Sequence, residues 1–123
     1  FKHYNDAHGH QLGDVVLASV AEIFKNSIRR GDLAARFGGD EFVVILPNCE
    51  KDDAMLIANK MRETIAAEKF PFQQQQPLGK LTCTFGVATF PEDADTKELL
   101  LKKADDCLYK GKAAGRNKGL AAE

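Results

Sequence analysis

The sequence lacks tryptophan, has only three cysteines among its 123 residues, and contains no long apolar run. Its longest uninterrupted apolar runs, such as 42–46, are about five residues, whereas a membrane-spanning helix needs roughly 20. Cys49, Cys83 and Cys107 are odd in number and widely spaced. This pattern argues against a disulfide framework and a zinc site, and it indicates reduced thiols that pack as small apolar groups. We therefore expect a cytoplasmic domain that makes no membrane contact.

An excess of charge of either sign is also absent. The 17 Lys and Arg residues nearly balance the 18 Asp and Glu residues and leave a net charge of −1. Such a balance gives no general reason to expect binding to nucleic acid or to acidic membranes, so any anion site must be local. The length, with 44% hydrophobic residues, fits a single domain over 1–123 with one core.

The spacing of apolar residues predicts an α+β fold, in which helices pack on an antiparallel or mixed sheet. We expect helices over 1–9, from near Asp14 to 28, over 51–68 and over 96–112, and strands over 33–37, 41–46 and 81–90. The segment FPFQQQQPLGK is typical of an exposed loop or short hairpin, and GKAAGRNKG of a polar tail. Gly86, inside a strand, indicates a bulge or a close backbone approach.

The stretch RFGGDEFVVIL, residues 36–46, has two interpretations. In the first, Gly38 and Gly39 supply the positive φ angles of a hairpin turn, and the two acidic residues keep its tip soluble. In the second, Asp40 and Glu41 hold a divalent cation. Two carboxylates about 4 Å apart repel each other by roughly 4 kcal/mol, and a hard cation such as Mg²⁺ removes that repulsion while it binds substrate phosphates.

Two further groups of polar residues fit a nucleotide. Lys2, Lys112 and Arg116 could converge on a triphosphate, because Lys112 and Arg116 have a spacing that places both cations on one side of a helix. Asn5 and Asp14 could read guanine, since a carboxylate accepts hydrogen bonds from N1–H and the exocyclic amine while an amide serves the remaining edge. The plainer alternatives are solvated surface charges for the cations and helix termination or capping for Asn5 and Asp14.

Four separated blocks agree in order and spacing with one known family: FKHYNDAHGHQLGD, RFGGDEF, TFGVATF and ADDCLYKGKAAGRN. The chain resembles the GGDEF domain of bacterial diguanylate cyclases over essentially its whole length. The resemblance implies a βαββαβ core similar to the palm of nucleotidyl cyclases and polymerases. It also implies that two GTP molecules condense into cyclic di-GMP and two pyrophosphates, each of two facing domains holding one GTP in a catalytic homodimer.

The resemblance assigns roles to the residues quoted above. Asp40 and Glu41 match the positions that hold Mg²⁺ or Mn²⁺ and assist deprotonation of the attacking hydroxyl. The substrate-binding positions, for guanine, phosphates and the turn itself, are matched by Lys2, Asn5, Asp14, Arg36, Gly38, Gly39, Lys112 and Arg116. The resemblance also implies an upstream sensory or dimerisation domain, and a full-length protein that could be anchored in a membrane.

The family has an inhibitory product site with the pattern Arg-x-x-Asp, five residues ahead of the signature. Arg29 and Asp32 fit this pattern and this position. An Arg fork matches guanine O6 and N7, and an Asp accepts hydrogen bonds from the Watson–Crick edge, so the assignment is chemically reasonable. By composition alone, RRGD is an ordinary turn at the end of a helix.

The family's first strand, which supplies another acidic metal ligand, is missing from the sequence given, so we expect the domain to be N-terminally incomplete here. The alternative function is a catalytically inactive module that binds GTP or cyclic di-GMP and regulates an attached partner. The intact Asp40 and Glu41 argue against this alternative. A purely structural dimerisation domain explains neither the acidic pair nor the cations.

Overall fold

The computed structural model of the chain describes residues 10–39, 41–68 and 82–123. The predictions for 1–9, for Asp40 and for the loop around 70–80 lie outside these ranges. The described elements are α1 (His10–Ser27), β1 (Leu33–Gly38), β2 (Glu41–Ile45), α2 (Lys51–Ala67), β3 (Phe85–Val87), α3 (Lys97–Ala113) and β4 (Gly119–Ala121). They confirm the α+β class. No helix within the described ranges is long and apolar enough to span a bilayer.

The chain divides into two compact units. The first comprises Phe1–Pro47 and Glu63–Thr82, so it holds α1, β1, β2 and the end of α2. The second comprises Asn48–Arg62 and Cys83–Glu123, so it holds most of α2 together with β3, α3 and β4. The strands pair within the units: β1 pairs antiparallel with β2, and β3 pairs parallel with β4.

Helix α1 forms the apolar layer of the first unit. Its buried side chains form an apolar stripe, since Val16, Leu17, Val20 and Phe24 are all at most 9% exposed. The Phe24 ring packs edge-on against Phe42 of β2, with ring centroids 5.0 Å apart and an interplanar angle of 78°. This aromatic contact adds a specific geometry to the area that both rings bury.

The predicted start of α1 near Asp14 is wrong, because the helix already begins at His10. Asp14 therefore lies inside the helix with an exposed side chain, and it does not cap the N-terminus. The capping preference of aspartate is a local tendency, and the good helix former Gln11 extends the helix beyond it. The capping alternative for Asp14 is thereby removed.

Strands β1 and β2 form the hairpin that the sequence predicts. Gly38 pairs with Glu41, and the register shifts between Arg36 and Gly38, which leaves Phe37 as a bulge. Gly38 and Gly39 have φ angles of 154° and 56°, so both take the positive values that glycine adopts without a Cβ penalty. The hairpin interpretation is confirmed as geometry, and it places Glu41 at the first position of β2.

The second unit packs α3 closely on β3. A Cβ atom added to Gly86 would collide with the carbonyl oxygen of Ala104 and would lie 2.6 Å from the backbone nitrogen of Leu108. The predicted close backbone approach at Gly86 is therefore confirmed. Thr96 caps α3, since its Oγ1 accepts a hydrogen bond from the Leu99 N–H at 3.3 Å. Cys107 is buried in the same helix.

The sequence does not predict strand β4, because this part of the chain is typical of a polar tail. The Lys51 ammonium anchors the residue after it, by donating to the carbonyl oxygen of Ala122 at 2.6 Å and to Asp93 Oδ1 at 2.7 Å. Asp93 is 3% exposed and also accepts from the Thr89 N–H at 2.7 Å. Burial opposes ionisation of Asp93, but these hydrogen bonds hold its pKa below the ordinary value, and the same pairing raises the pKa of Lys51.

Neighbouring valines of α1 offer a matched test of this packing. Val16 is 1% exposed and Val15 is 58% exposed. We expect Val16→Ala to lower the free energy of unfolding by roughly 2 kcal/mol, because two buried methyl groups are lost and a cavity remains. Val15→Ala should change it by less than about 0.5 kcal/mol. Urea denaturation measures both values, and equal losses would show that the α1 stripe is misassigned.

Candidate functional site

Glu41 is the described member of the predicted metal-binding pair. It is the first residue of β2, its side chain is exposed, and only Asp40 separates it in sequence from Gly39. Carboxylate oxygens are hard donors, so an exposed glutamate at a strand end has the chemistry that Mg²⁺ or Mn²⁺ requires. Asp40 lies outside the described residues. Within them, no group of three or more His, Cys, Asp or Glu side chains could hold a metal.

Arg36 fixes the turn that precedes Glu41. Its Nε donates a hydrogen bond of 2.8 Å to the carbonyl oxygen of Gly39, which ties the end of β1 to the turn. The sequence-based assignment gave Arg36 a role in substrate binding. The structure adds a local role, because this bond holds the backbone of the turn whose geometry sets the position of Glu41.

A groove of about 590 Å³ in the first unit brings three of the predicted site residues together. Asp14, Arg36 and Asp32 all line it. The other lining residues come mainly from α1 and are mostly apolar: Leu17, Ala18, Ala21, Glu22, Phe24, Lys25, Ile28, Leu33, Ala34 and Phe42. An apolar groove with a few polar groups at its edge is a common form of binding site for a flat, partly apolar ligand.

Asp14 is the described member of the predicted guanine-reading pair. Its exposed carboxylate stands on α1 at the edge of the groove. Asn5 and Lys2 lie outside the described residues, so their predicted roles stay predictions.

Arg29 and Asp32 form a compact ion pair in the turn between α1 and β1. Arg29 Nε and Nη2 lie 3.2 and 3.4 Å from the two oxygens of Asp32, and the Arg29 N–H donates to Asp32 Oδ2 at 2.8 Å. Arg29 Nη2 also donates to the carbonyl oxygen of Pro47 at 2.9 Å. Gly31, with a φ angle of 96°, closes the turn. The structure thus brings the predicted Arg-x-x-Asp pair into direct contact.

The hydrogen bonds from Arg29 hold the pKa of the Asp32 carboxyl below its usual range. Because the folded state binds the Asp32 proton more weakly than the unfolded state, the pairing stabilises the fold at neutral pH. That contribution is lost as the pH falls through the folded-state pKa of Asp32. The pair is therefore fully charged near neutral pH.

Lys112 and Arg116 lie in the second unit, and both are exposed. The argument that helical spacing aligns them is wrong, because α3 ends at Ala113 and Arg116 follows in a left-handed turn with a φ angle of 63°. The Arg116 N–H still donates to the carbonyl oxygen of Gly111 at 3.1 Å. Arg116 is therefore positioned by a turn and not by the helix.

Burial perturbs the thiols of two of the three cysteines. All three are free thiols, and burial raises the pKa of Cys83 to about 11, so it stays protonated at neutral pH. Burial also raises the pKa of Cys107. Neither thiol is activated as a nucleophile.

Comparison with known proteins identifies the family. The family model described as "Diguanylate cyclase, GGDEF domain" matches residues 1–118. Response regulator PleD of Caulobacter vibrioides is 39% identical over 95% of this chain and 26% of that protein. Diguanylate cyclase A of Treponema denticola is 36% identical over 96% of this chain and 31% of that protein. The chain belongs to the GGDEF family of diguanylate cyclases, and it spans about a quarter to a third of these curated relatives.

Solved structures agree with this assignment. The crystal structure of the GGDEF domain of PA1120 (YfiN or TpbB) from Pseudomonas aeruginosa has a TM-score of 0.86 and 36% identity, covering 99% of this chain and 75% of that chain. The coiled coil and GGDEF domain of DgcB from Caulobacter crescentus, in complex with c-di-GMP, has a TM-score of 0.81 and 27% identity, covering 98% of this chain and 63% of that chain. The predicted family and fold are both confirmed.

The Arg29–Asp32 pair can be tested by titration. In Arg29→Ala we expect the pKa of Asp32 to rise toward the ordinary aspartate value of about 3.8, because the hydrogen bonds that stabilise the carboxylate are removed. Carboxyl carbon chemical shifts recorded by NMR against pH measure the midpoint. Arg30→Ala, a change at the adjacent exposed arginine, should leave it unaltered. An identical Asp32 midpoint in Arg29→Ala and wild type would contradict the pairing.

Proposed function

We propose that this domain condenses two GTP molecules into cyclic di-GMP and two pyrophosphates, and that residues 1–123 belong to one GGDEF domain. The observation that carries the proposal is the hairpin tip, where an exposed Glu41 follows a glycine turn held by Arg36. A glutamate retained only for solubility needs no such fixed turn. Membership of the diguanylate cyclase family supports the same chemistry.

The reaction joins the 3′-hydroxyl of one GTP to the α-phosphorus of the other. The new oxygen–phosphorus bond forms as the bond to pyrophosphate breaks, and the hydroxyl proton must leave the nucleophile. Glu41 is placed to assist that proton transfer, and with Asp40 it would hold the divalent cation. Bound Mg²⁺ or Mn²⁺ lowers the pKa of the hydroxyl and neutralises charge on the phosphates.

Base selection follows from the carboxylate on α1. Asp14 would accept hydrogen bonds from guanine N1–H and the exocyclic amine, with Asn5 at the remaining edge. Adenine would leave the same carboxylate facing a lone pair, and such unpaired polar groups discriminate by up to ~10⁴-fold. The groove edge on which Asp14 stands supports this role, since the apolar groove wall offers a surface for a flat base.

The phosphates of GTP are negatively charged, so cationic side chains would bind them. We assign Lys2, Lys112 and Arg116 to the triphosphate. Gly38 and Gly39 contribute differently, because backbone without side chains lets a phosphate approach the turn closely. A second copy of the domain, holding the other GTP, completes the reaction, and an upstream domain would bring the two copies together.

Product inhibition is assigned to the Arg29–Asp32 pair. Arg29 is exposed, and its contacts to the carboxylate of Asp32, whose side chain is only 3% exposed, and to Pro47 already orient its guanidinium. A pre-oriented guanidinium loses little freedom when it binds guanine O6 and N7, which favours binding. The DgcB structure shows that a related GGDEF domain binds c-di-GMP.

The decisive experiment incubates purified full-length protein with GTP and Mg²⁺ and separates the nucleotides by chromatography. We expect cyclic di-GMP and pyrophosphate in a ratio of one to two. Glu41→Gln should lose at least ~100-fold in turnover, within the range that general acid–base groups supply. Its stability should match wild type, because Glu41 is exposed.

Glu68→Gln provides the control, since it makes the same chemical change at an exposed glutamate with no assigned role. It should retain wild-type turnover. Wild-type-like turnover in Glu41→Gln would contradict the role of that residue. A wild-type protein that binds cyclic di-GMP tightly but forms none would defeat the enzyme assignment and support the regulatory binding module.

Adjacent arginines test the inhibitory site. We expect Arg29→Ala to retain turnover and to raise the cyclic di-GMP concentration that halves the rate by about tenfold or more, because a charged hydrogen-bond donor to guanine is removed. Arg30→Ala, one residue away and also exposed, should leave the inhibition curve unchanged. Initial rates measured against added cyclic di-GMP give both curves. Superimposable curves for Arg29→Ala and wild type would remove the proposed site.

A further inference from the structure

The turn after α3 has an unusual backbone. Gly115, Arg116 and Asn117 have successive φ angles of 116°, 63° and 48°. Positive φ is natural for glycine and tolerated by asparagine, but it is unfavourable for an arginine. Arg116 therefore occupies a conformation that the chain would not choose locally, and other contacts must hold it.

Besides the hydrogen bond from the Arg116 N–H to Gly111, the contacts that hold this turn converge on Asn117, the residue after Arg116. Its backbone N–H donates to Thr84 Oγ1 at 3.0 Å. Arg62 Nη1 lies 3.1 Å from Asn117 Oδ1 and 3.4 Å from its backbone carbonyl oxygen, so one guanidinium contacts both acceptors. Thr84 thus binds the N–H of Asn117, and Arg62 binds its two oxygen acceptors, so the end of the turn is fixed by both residues.

Arg62 is itself held in place. It belongs to α2, it is only partly exposed, and its Nε donates to Asn59 Oδ1 at 3.3 Å, one helical turn earlier. A planar guanidinium bound at two of its nitrogens has little freedom to rotate. The helix therefore fixes the guanidinium, which in turn fixes Asn117.

We propose that Arg62 is a positioning residue for GTP binding, which acts through Asn117 to keep Arg116 in its left-handed conformation. Arg62 contacts the turn through Asn117. The inference rests on the proposed function, because it takes Arg116 as a contact to the triphosphate. It adds that the affinity for the phosphates depends on a residue 54 positions earlier in the chain.

Kinetics of the full-length protein test this role. Arg62→Ala should raise the KM for GTP roughly tenfold, the effect of losing one charged hydrogen bond, with kcat changed less than about threefold. Inhibition by guanosine, which carries no phosphate, should keep its wild-type constant. A general loss of structure would instead weaken GTP and guanosine together.

A second variant tests the side-chain contact of Asn117 separately from its backbone conformation. Asn117→Gly removes the Oδ1 acceptor but accepts positive φ without a steric penalty. It should raise the KM for GTP, though by no more than Arg62→Ala does, because the contact from Arg62 to the backbone carbonyl of residue 117 remains. The double variant Arg62→Ala with Asn117→Gly should be no worse than Arg62→Ala alone, because that change already removes the contact to Oδ1. Lys97→Ala, at the exposed start of α3, is the control and should match wild type.

The outcomes distinguish this inference from the proposed function. A wild-type KM in Arg62→Ala or in Asn117→Gly, with active wild-type protein, overturns the inference alone, and so does an equal loss of guanosine affinity. If Arg62→Ala does not fold by circular dichroism, Asn117→Gly decides. If wild type binds GTP without turnover, the proposed function fails, and calorimetric dissociation constants replace KM in the same comparison. If wild type does not bind GTP, both fail.

Discussion

The antiparallel pairing of β1 with β2 is the constraint on which the candidate site depends. The period of two along a strand means that a slip of one residue would turn every side chain to the opposite face. Two contacts fix the register: the pairing of Gly38 with Glu41, and the packing of Phe24 against Phe42. The Gly38–Glu41 pairing sets the length of the turn, and the Phe24 contact partly buries Phe42, the first apolar side chain of β2. Glu41 is exposed at a defined place because its neighbour is anchored.

The sequence predicts the hairpin and the three described helices, apart from the start of α1, for physical reasons. The 3.6-residue period of the apolar residues in α1 and α2 reflects a buried stripe, and a stripe of that kind is visible without knowing what covers it. Two adjacent glycines between apolar runs demand a turn wherever they occur. The Arg29–Asp32 contact could also be anticipated from the sequence, because both residues lie within a single turn of the chain.

Other features depend on partners that are distant in sequence. Strand β4 has only three residues, and its existence follows from pairing with β3 and from the Lys51 contact to Ala122. A three-residue strand in a polar segment has no periodicity to detect. The Arg62–Asn117 contact joins residues 55 apart in the same way. The start of α1 was misplaced because the capping preference of Asp14 is weaker than the tendency of the preceding residues to continue a helix.

The contact between Arg29 and Pro47 has a consequence for how a product molecule could act. Arg29 precedes β1 and Pro47 follows β2, so this contact closes the hairpin at its base, whereas Glu41 stands at its tip. At about 3.3 Å per residue, a five-residue strand separates the two ends by roughly 17 Å. A guanine bound at Arg29 would not reach Glu41 across that distance. A ligand at the base would therefore leave Glu41 sterically open, and any effect of such a ligand on the tip would have to be transmitted through the hairpin or between copies of the domain.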